Sequence, residues 1–236
     1  MMCDDNTVIG LGWLHDLPDF RDYTIDYDVV PERLKEMGVK RSVKDNLSKM
    51  GVIKVAPELS SNVSLLEYCS PIENQGSLGS CTAHAGVGMV EYFERRAFGR
   101  HIDASRLFLY KVTRNLLNWT GDTGAYLRTT MAAMVLFGVP PESYWPYQIS
   151  DFDKEPTSFL YAFGQSFQSI SYYRLDPPGT PPGALLDRIK LFLAAKLPSI
   201  FGFTVYSSIR QASASGAIPL PTTGETVLGG HAVMAV

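Results

Sequence analysis

The sequence predicts an α+β protein built as two lobes, with helices in its first half and strands in its second. Apolar residues recur at helical spacing between residues 81 and 137, where several small residues permit close packing. From about residue 168 onward the chain is rich in Ile, Phe, Tyr and Val, and proline- and glycine-rich turns separate these runs. The apolar fraction of 45% is that of an ordinary globular protein.

Helix boundaries follow from caps and glycine stops. Two short helices are predicted at 31–37 and 42–50 because Gly38 and Gly51 follow them, as is typical of helix C-termini. The remaining helices are predicted at 81–96, at 104–117 after an Asp103 cap, at 125–137 before Gly138, and at 183–196.

Strands are predicted at 168–175, 199–206 and 231–236, where β-branched and aromatic residues cluster. Gly229 and Gly230 precede the last of these strands. Residues 1–56 have a different character, with an irregular aromatic and acidic stretch at 12–23. Pro57 and the polar residues 60–62 mark a boundary. We therefore expect an N-terminal extension at 1–56 and a main domain at 57–236.

Composition excludes several classes of function. The net charge is −3 and no cluster of Lys and Arg forms a basic face, so we expect no nucleic-acid partner. Cys3, Cys69 and Cys81 are too few and too scattered for a disulfide framework or a zinc pattern, which suits a reducing compartment. Acidic residues stand where a secretory signal would carry bases, and no apolar stretch is long enough to span a bilayer. We expect a cytoplasmic protein with no membrane partner, although export without a cleaved signal stays open.

The segment 74–85, Asn-Gln-Gly-Ser-Leu-Gly-Ser-Cys-Thr-Ala-His-Ala, is the most informative part of the sequence. A loop containing Gly76 and Gly79 delivers Cys81 to the first turn of a predicted helix. The free backbone N–H groups and the positive end of the helix dipole favour a thiolate there. A thiolate is the nucleophilic form of cysteine, so this position predicts a reactive Cys81. The alternative is an inert buried thiol.

A nucleophilic cysteine needs an imidazole to accept and return its proton. Four histidines compete for this role. His231 follows two glycines at the start of an apolar strand, which is a rigid and approachable position. His84 lies one helical turn beyond Cys81, but side chains at that spacing point past each other. His15 and His101 stand in polar, loop-like contexts. We therefore expect His231 to be the base, with a buried structural histidine as the alternative.

Residues 75–85 resemble the active-site signature of papain-like, cathepsin-type cysteine peptidases, in which a glutamine precedes the nucleophile by six positions. The family's histidine lies about 130–150 residues downstream, and His231 stands 150 positions after Cys81. The segment 121–126 resembles the family's glycine-bearing substrate loop, and Trp-Pro-Tyr at 145–147 is similar to the segment that follows it. The N-terminal segment is similar to that of bacterial members. The resemblance runs in order from about residue 57 to residue 236.

The resemblance implies a papain-like two-lobe fold, with a helical left lobe and a β-rich right lobe. It also implies a cysteine endopeptidase that needs no metal or organic cofactor. Cys81 would attack the scissile carbonyl, His231 would protonate the leaving amine, and Gln75 would donate to the oxyanion. Five further residues would line the substrate cleft: Gly79, Ser80, Gly124, Tyr126 and Gly230. The partners would be peptide or protein substrates, and we expect a monomer.

The sequence departs from the family pattern at several positions. Leu78 replaces a cysteine that forms a disulfide in secreted relatives, and Thr82 and His84 replace the usual aromatic residues after the nucleophile. The family's Asn-Ser-Trp-Gly segment, whose asparagine would orient the histidine, does not occur among the residues from His231 to Val236. A fragment, a second chain that completes the fold, and a truncated form of low activity all stay open.

We also expect residues 1–56 to be a pro-segment or regulatory extension that lies across the cleft, with Trp13, Phe20 and Tyr23 as anchors. An ordinary structural extension is the alternative. Two other functions stay open at this point. One is a catalytically silent binding module of the same fold, and the other is an amidase or acyltransferase that uses the same Cys–His chemistry.

Overall fold

Helices form most of the first half of the chain and a two-stranded sheet forms part of the second, within the residues that the structure describes: 10–19, 22–36, 38–52, 60–169 and 171–236. The structure is a computed structural model. In chain order the elements are β1 (Trp13–Leu14), α1 (Glu32–Glu36), α2 (Val43–Lys49), α3 (Cys81–Phe98), α4 (Arg106–Leu116), β2 (Ala125–Tyr126), α5 (Leu127–Leu136), α6 (Ser158–Gly164), α7 (Pro182–Ala194), β3 (Ser199–Tyr206), α8 (Ala212–Ser215) and β4 (Val227–Ala235).

The left lobe is a helical layer in which α3, α4 and α5 share one apolar core. Phe108 and Leu109 of α4 are fully buried against Val87 of α3 and Met134 of α5. A Cβ atom at Gly86 would come within 3.0 Å of the Met134 sulfur, so this glycine lets α3 approach its neighbours closely. The core holds α3 in a fixed position, with its first residue at the edge of the lobe.

The right lobe is built on the antiparallel pair β3–β4, in which Phe203 faces His231 and Gly202 faces Ala232. A second apolar cluster surrounds Phe192 of α7 and Leu197, and it also includes Ile25, Leu47 and Val52 from the N-terminal part of the chain. The N-terminal part of the chain therefore packs on the right lobe after it leaves the region between the lobes.

The N-terminal residues 10–16, which we call the strap, lie between the two lobes. Within the strap, β1 pairs with β2 in parallel, with Trp13 opposite Ala125 and Leu14 opposite Tyr126. A third cluster of buried residues joins Trp13 to Cys81 of α3 and Ala232 of β4. The interface between the lobes is thus formed by the start of α3, the middle of β4 and the strap.

The predicted fold class is confirmed: the protein is α+β with a helical lobe and a strand-bearing lobe of papain-like type. Most predicted elements occur with at most small changes at their ends: the helices at 31–37, 42–50, 81–96, 125–137 and 183–196 and the strand at 199–206. Residue 37 lies outside the described residues. Residues 125–126 form β2 instead of the first turn of a helix. The last strand begins at Val227, so Gly229 and Gly230 lie within it rather than before it.

Two predictions about local structure were wrong. The cap of α4 is Ser105, whose hydroxyl accepts from the Phe108 N–H at 3.2 Å, whereas Asp103 bonds His101. The expected strand at 168–175 does not form in its described residues. Only Arg174 makes a bridge there, to Thr24, because no neighbouring strand runs alongside to extend it. Among the described helices, none has the length and apolar character required to cross a bilayer. The proposed boundary at Pro57 lies outside the described residues.

Candidate active site

Cys81 is the first residue of α3 and is fully buried. Burial raises the pKa of its thiol, although the backbone N–H groups of Ala232, Gly12, Thr82 and Cys81 itself act to lower that pKa. The donors expected at a helix start are therefore present, but the burial of the thiol outweighs them. In this arrangement the neutral thiol is favoured.

His231 lies in the middle of β4, where its neighbour Ala232 contacts Cys81. Its ring packs edge-on against Phe203 of β3, with ring centroids 5.9 Å apart. The His231 Nδ1 atom is buried and has no hydrogen-bond partner within the described part of the chain. Burial lowers the pKa of His231, so the neutral imidazole is favoured. β4 therefore meets the start of α3 at Ala232, and His231 adds to the effect of burial in lowering the pKa of His84 of α3.

Gln75 lies on the loop that leads to Cys81, and its side-chain amide donates two hydrogen bonds of 2.7 Å. One reaches the carbonyl oxygen of Leu78, which fixes the side chain to its own loop. The other reaches the carbonyl oxygen of Gly10 in the strap. Tyr147 supports the same loop from behind, because its hydroxyl donates to the Gln75 carbonyl at 2.9 Å. The Gln75 side chain is therefore fixed by Leu78, and its second N–H donates to a carbonyl of the strap.

The predicted cleft residues surround the strap at several points. The Gly12 N–H donates to the Gly230 carbonyl at 3.0 Å, and the Gly12 carbonyl accepts from the Ala125 N–H at 2.7 Å. A Cβ at Gly124, whose φ is +71°, would collide with the Gly12 carbonyl. A Cβ at Gly12 would collide in turn with Gly79. The strap backbone thus fills a narrow slot between Gly79, Gly124 and Gly230.

Of the two predicted anchors that the structure describes, Trp13 is the one whose side chain lies between the lobes. Its ring lies against Gly202 and its carbonyl against Gly230, where added Cβ atoms would overlap it. Phe20 lies outside the described residues. Tyr23 packs on Tyr27 with ring centroids 5.2 Å apart and does not enter the slot. Sequence reasoning found Trp13 but not the glycines at 10 and 12 that let the strap approach so closely.

Acidic residues attach the strap and the segment after it to the catalytic lobes. Asp22 accepts from Arg128 Nε at 2.6 Å and from Arg174 Nη1 at 3.1 Å. Burial acts to raise the pKa of Asp22, but the hydrogen bonds from Arg128 and Arg174 bring it below its usual value. Asp16 lies 3.6 Å from Arg128, yet burial raises the pKa of Asp16. The two carboxylates therefore differ: the folded protein stabilises the ionised form of Asp22 and disfavours the ionised form of Asp16.

The remaining predicted site residues have other contacts. The Ser80 hydroxyl lies 2.6 Å from the Tyr147 hydroxyl, and the Tyr126 ring packs on Trp119. His84 donates from Nδ1 to the Ser80 carbonyl at 3.1 Å, while burial lowers its pKa. The roles of Ser80 and Tyr126 in binding substrate stay predictions.

Cys69 and the remaining histidines make other contacts, and Cys3 lies outside the described residues. The Cys69 thiol donates weakly to the Leu65 carbonyl at 3.6 Å, and His15 packs edge-on against Trp13. Glu91, His101 and Asp103 are the described group whose donor atoms lie close enough together to hold a cation. However, the Arg95 guanidinium lies 3.4 Å from His101 Nδ1, and this positive charge opposes a cation there.

The fold and the site define a two-lobed thiol peptidase. It has a helical lobe and a strand-bearing lobe, and Cys81 lies at the start of α3, where the two lobes meet. No protein-family model matches the chain. It is 31% identical over 232 residues to the uncharacterized peptidase C1-like protein L477 of Acanthamoeba polyphaga mimivirus, a match that covers 96% of this chain and 72% of that protein.

Solved structures agree with this relationship. Xylellain, a cysteine protease from Xylella fastidiosa, matches with a TM-score of 0.71 and 27% identity over 99% of this chain and 81% of that one. Digestive procathepsin L 3 of the larval midgut of Tenebrio molitor matches with a TM-score of 0.51 and 18% identity, over 71% of this chain and 55% of that one, and supports the fold alone. The chain belongs to the papain-like, C1-type family of cysteine peptidases.

Proposed function

We propose that the protein is an endopeptidase that hydrolyses peptide bonds through a Cys81 thiolate and a His231 imidazolium, and that the strap restrains it. The observation that carries the first part is the position of β4. Ala232 contacts Cys81 at the start of α3, and the residue before it, His231, adds to the effect of burial on the pKa of His84 in the same helix, which supports a position for His231 beside α3. The second part rests on the strap itself, which fills the slot in front of Cys81.

In the proposed reaction the Cys81 sulfur attacks the scissile carbonyl and forms a tetrahedral intermediate. The Gln75 amide and the Cys81 backbone N–H donate to its oxyanion, a contribution worth about 10²–10³ in turnover for one donor. His231 then protonates the leaving amine as the C–N bond breaks, which leaves a thioester. Water attacks the thioester while His231 takes its proton, and the acid product and the free thiol are released.

The restraint is supported by three contacts of the strap. The Gly10 carbonyl occupies the donor of Gln75 at 2.7 Å. The N–H and carbonyl of Gly12 are both bonded to cleft backbone. Cys81 has no exposed surface while the strap is in place. A substrate needs the same donors and the same slot, so the strap must leave before a peptide binds. The domain division at residues 56 and 57 is part of this proposal.

The catalytic proposal is tested by hydrolysis of a fluorogenic dipeptidyl amide. We expect Cys81→Ala and His231→Ala each to abolish the hydrolysis that the parent protein shows, with unfolding transitions close to that of the parent. Full activity in either variant would contradict the assignment. Hydrolysis in the presence of an added amine separates the alternatives, since an acyltransferase forms the amide of that amine rather than the acid.

The strap is tested by Gly12→Ala, because an added methyl group at this residue would collide with Gly79. The matched control is Gly183→Ala, where nothing lies within 4 Å of the added Cβ. We expect Gly12→Ala to raise both hydrolysis and the rate of Cys81 alkylation by about tenfold or more, as 1.4 kcal/mol of strap destabilisation would. Equal rates in Gly12→Ala and Gly183→Ala would remove the restraint from the proposal.

A further inference from the structure

A hydrogen-bond chain that runs from an exposed carboxylate to a buried phenol joins the two glycine loops on either side of the slot. Both Asp122 carboxylate oxygens accept from the Gly79 N–H, at 2.9 and 3.1 Å. The Tyr110 hydroxyl donates to Asp122 Oδ1 at 2.5 Å and accepts from the Gly124 N–H at 3.1 Å. Tyr110 has no exposed surface. One carboxylate and one phenol thus connect the loop before Cys81 to the loop that bears Gly124.

These two loops are the ones that contact the strap backbone at Gly12. Gly79 lies against one side of Gly12, and Gly124 lies against its carbonyl. Any change in the separation of Gly79 and Gly124 would therefore change the width of the slot. Buried N–H groups that lose their acceptor are costly, so the Asp122–Tyr110 bridge holds this width against local fluctuation.

The bridge is itself anchored on α4. The Arg114 guanidinium lies over the Tyr110 ring, 4.2 Å from its centroid, and donates to the Gly121 carbonyl and to Asp153. Asp153 also accepts from the Gly121 N–H at 2.9 Å. The start of the substrate loop is thus fixed to the same helix that carries Tyr110. The phenol remains a donor at all ordinary pH values, since burial and the Asp122 carboxylate raise the pKa of Tyr110 well above its usual value.

We infer that Tyr110 and Asp122 are positioning residues that set the spacing of Gly79 and Gly124 and thereby the binding of an extended peptide backbone. This inference rests on the proposed function, because it concerns the same cleft. Neither residue is placed next to the reacting atoms. Their loss should therefore weaken the binding of substrates that span both loops, while the chemistry at Cys81 continues.

The test compares Tyr110→Phe with Tyr161→Phe, each in the Gly12→Ala protein. Tyr161 is a matched control, because its hydroxyl also donates to a carboxylate, Glu155, at 2.7 Å, and neither Tyr161 nor Glu155 has a described hydrogen bond to Gly79, Asp122 or Gly124. Two substrates are used: benzyloxycarbonyl-Phe-Arg-aminomethylcoumarin, which spans the slot, and a small acylglycine nitrophenyl ester, which reaches little beyond Cys81. Steady-state kinetics give kcat and KM for each variant and substrate.

We expect Tyr110→Phe to raise KM for the peptide amide about tenfold, the factor that 1.4 kcal/mol represents, with kcat within about twofold. The ester should respond much less, and Tyr161→Phe should leave both substrates close to the parent values. A fall in kcat with unchanged KM, an equal effect on the ester, or the same effect in Tyr161→Phe would overturn the inference.

A second measurement keeps the inference separate from the proposed activity. Amide hydrogen exchange at Gly124 should accelerate about tenfold in Tyr110→Phe, and exchange at Gly79 should accelerate in Asp122→Ala. This readout needs no turnover. If the protein hydrolyses neither substrate, the proposed function fails. The role of the Asp122–Tyr110 bridge is then still tested by the amide exchange rates of Gly79 and Gly124. Unchanged exchange at both glycines would overturn it.

Discussion

The side-chain amide of Gln75 donates a hydrogen bond of 2.7 Å to the carbonyl oxygen of Gly10, a residue 65 positions earlier in the chain. The same N–H is the one that the proposed mechanism directs at the oxyanion. One donor therefore serves two states of the protein, binding the strap at rest and the tetrahedral intermediate during turnover. This double use makes the effects of several substitutions distinguishable.

Gln75→Ala should have opposite effects on access and on chemistry. In the full chain it removes the bond to Gly10, so Cys81 should be alkylated a few times faster than in the parent, in line with about 1 kcal/mol for a lost hydrogen bond. In the Gly12→Ala protein the same change should lower kcat by about 10²–10³. The measurements are the alkylation rate and kcat for a dipeptidyl amide. If Gln75→Ala lowered or raised the alkylation rate and kcat together, the double role of the amide would be contradicted.

The two strap carboxylates should respond differently to neutralisation. Asp22→Asn should speed the alkylation of Cys81 at neutral pH, because the ionised group, with its lowered pKa, stabilises the closed strap. Asp16→Asn should not speed it, because burial raises the pKa of Asp16 and its charge opposes closure. The advantage of Asp22→Asn over the parent should hold above the usual aspartate pKa and shrink as pH falls through the lowered pKa of Asp22. Equal acceleration by both substitutions would contradict this assignment of signs.

The strap should also shift the titration of the nucleophile. Burial under the strap raises the pKa of Cys81, so the thiolate favours the open strap, and alkylation of the parent should rise with pH beyond the usual range of a thiol. In Gly12→Ala the midpoint of this rise should move to lower pH, because the helix-start donors remain while the burial is relieved. The measurement is the pH dependence of the alkylation rate in both proteins. Coincident profiles would show that the strap does not control the charge state of Cys81.

Arg114 should be the most sensitive polar residue of the helical lobe. Its side chain has no exposed surface and pairs with Asp153 at 2.7 Å. Replacement by leucine removes this ion pair and leaves the carbonyls of Gly121 and Phe152 without the guanidinium donor, which should lower the free energy of unfolding by about 3 kcal/mol. Arg100→Leu, at an exposed position, should change it by less than about 0.5 kcal/mol. Chemical denaturation measures both, and similar values for the two variants would contradict the buried network.

Much of the architecture could be predicted from local patterns. The strand at 199–206 and the helix that begins at Cys81 follow from residue composition and the glycine loop before the cysteine, and both occur as expected. The strand at 168–175 could not be judged locally, because a strand needs a neighbour. Gln168 instead donates from its side chain to the carbonyls of Val135 and Leu136 at the end of α5. Short-range sequence carries no information about that contact.

The site shows the same division between local and long-range information. Gln75 and Cys81 share one loop and could be identified from their spacing, and Trp13 could be named as an anchor from its aromatic context. The Asp122–Tyr110 bridge joins α4 to two separate loops, and nothing in the spacing of these residues indicates that they meet. Likewise, nothing in the sequence distinguishes Gly10 and Gly12 from other loop glycines, although in the fold they lie against Gln75 and Gly79.

The most direct test of the central claim is the rate at which iodoacetamide alkylates Cys81 near pH 6 in the Gly12→Ala protein, with and without His231. If an imidazolium from β4 stabilises the thiolate, alkylation should be fast in Gly12→Ala and should fall by about tenfold or more when His231→Ala is added. Equal rates in the two proteins would show that His231 does not act on Cys81, and the proposed peptidase mechanism would then be wrong.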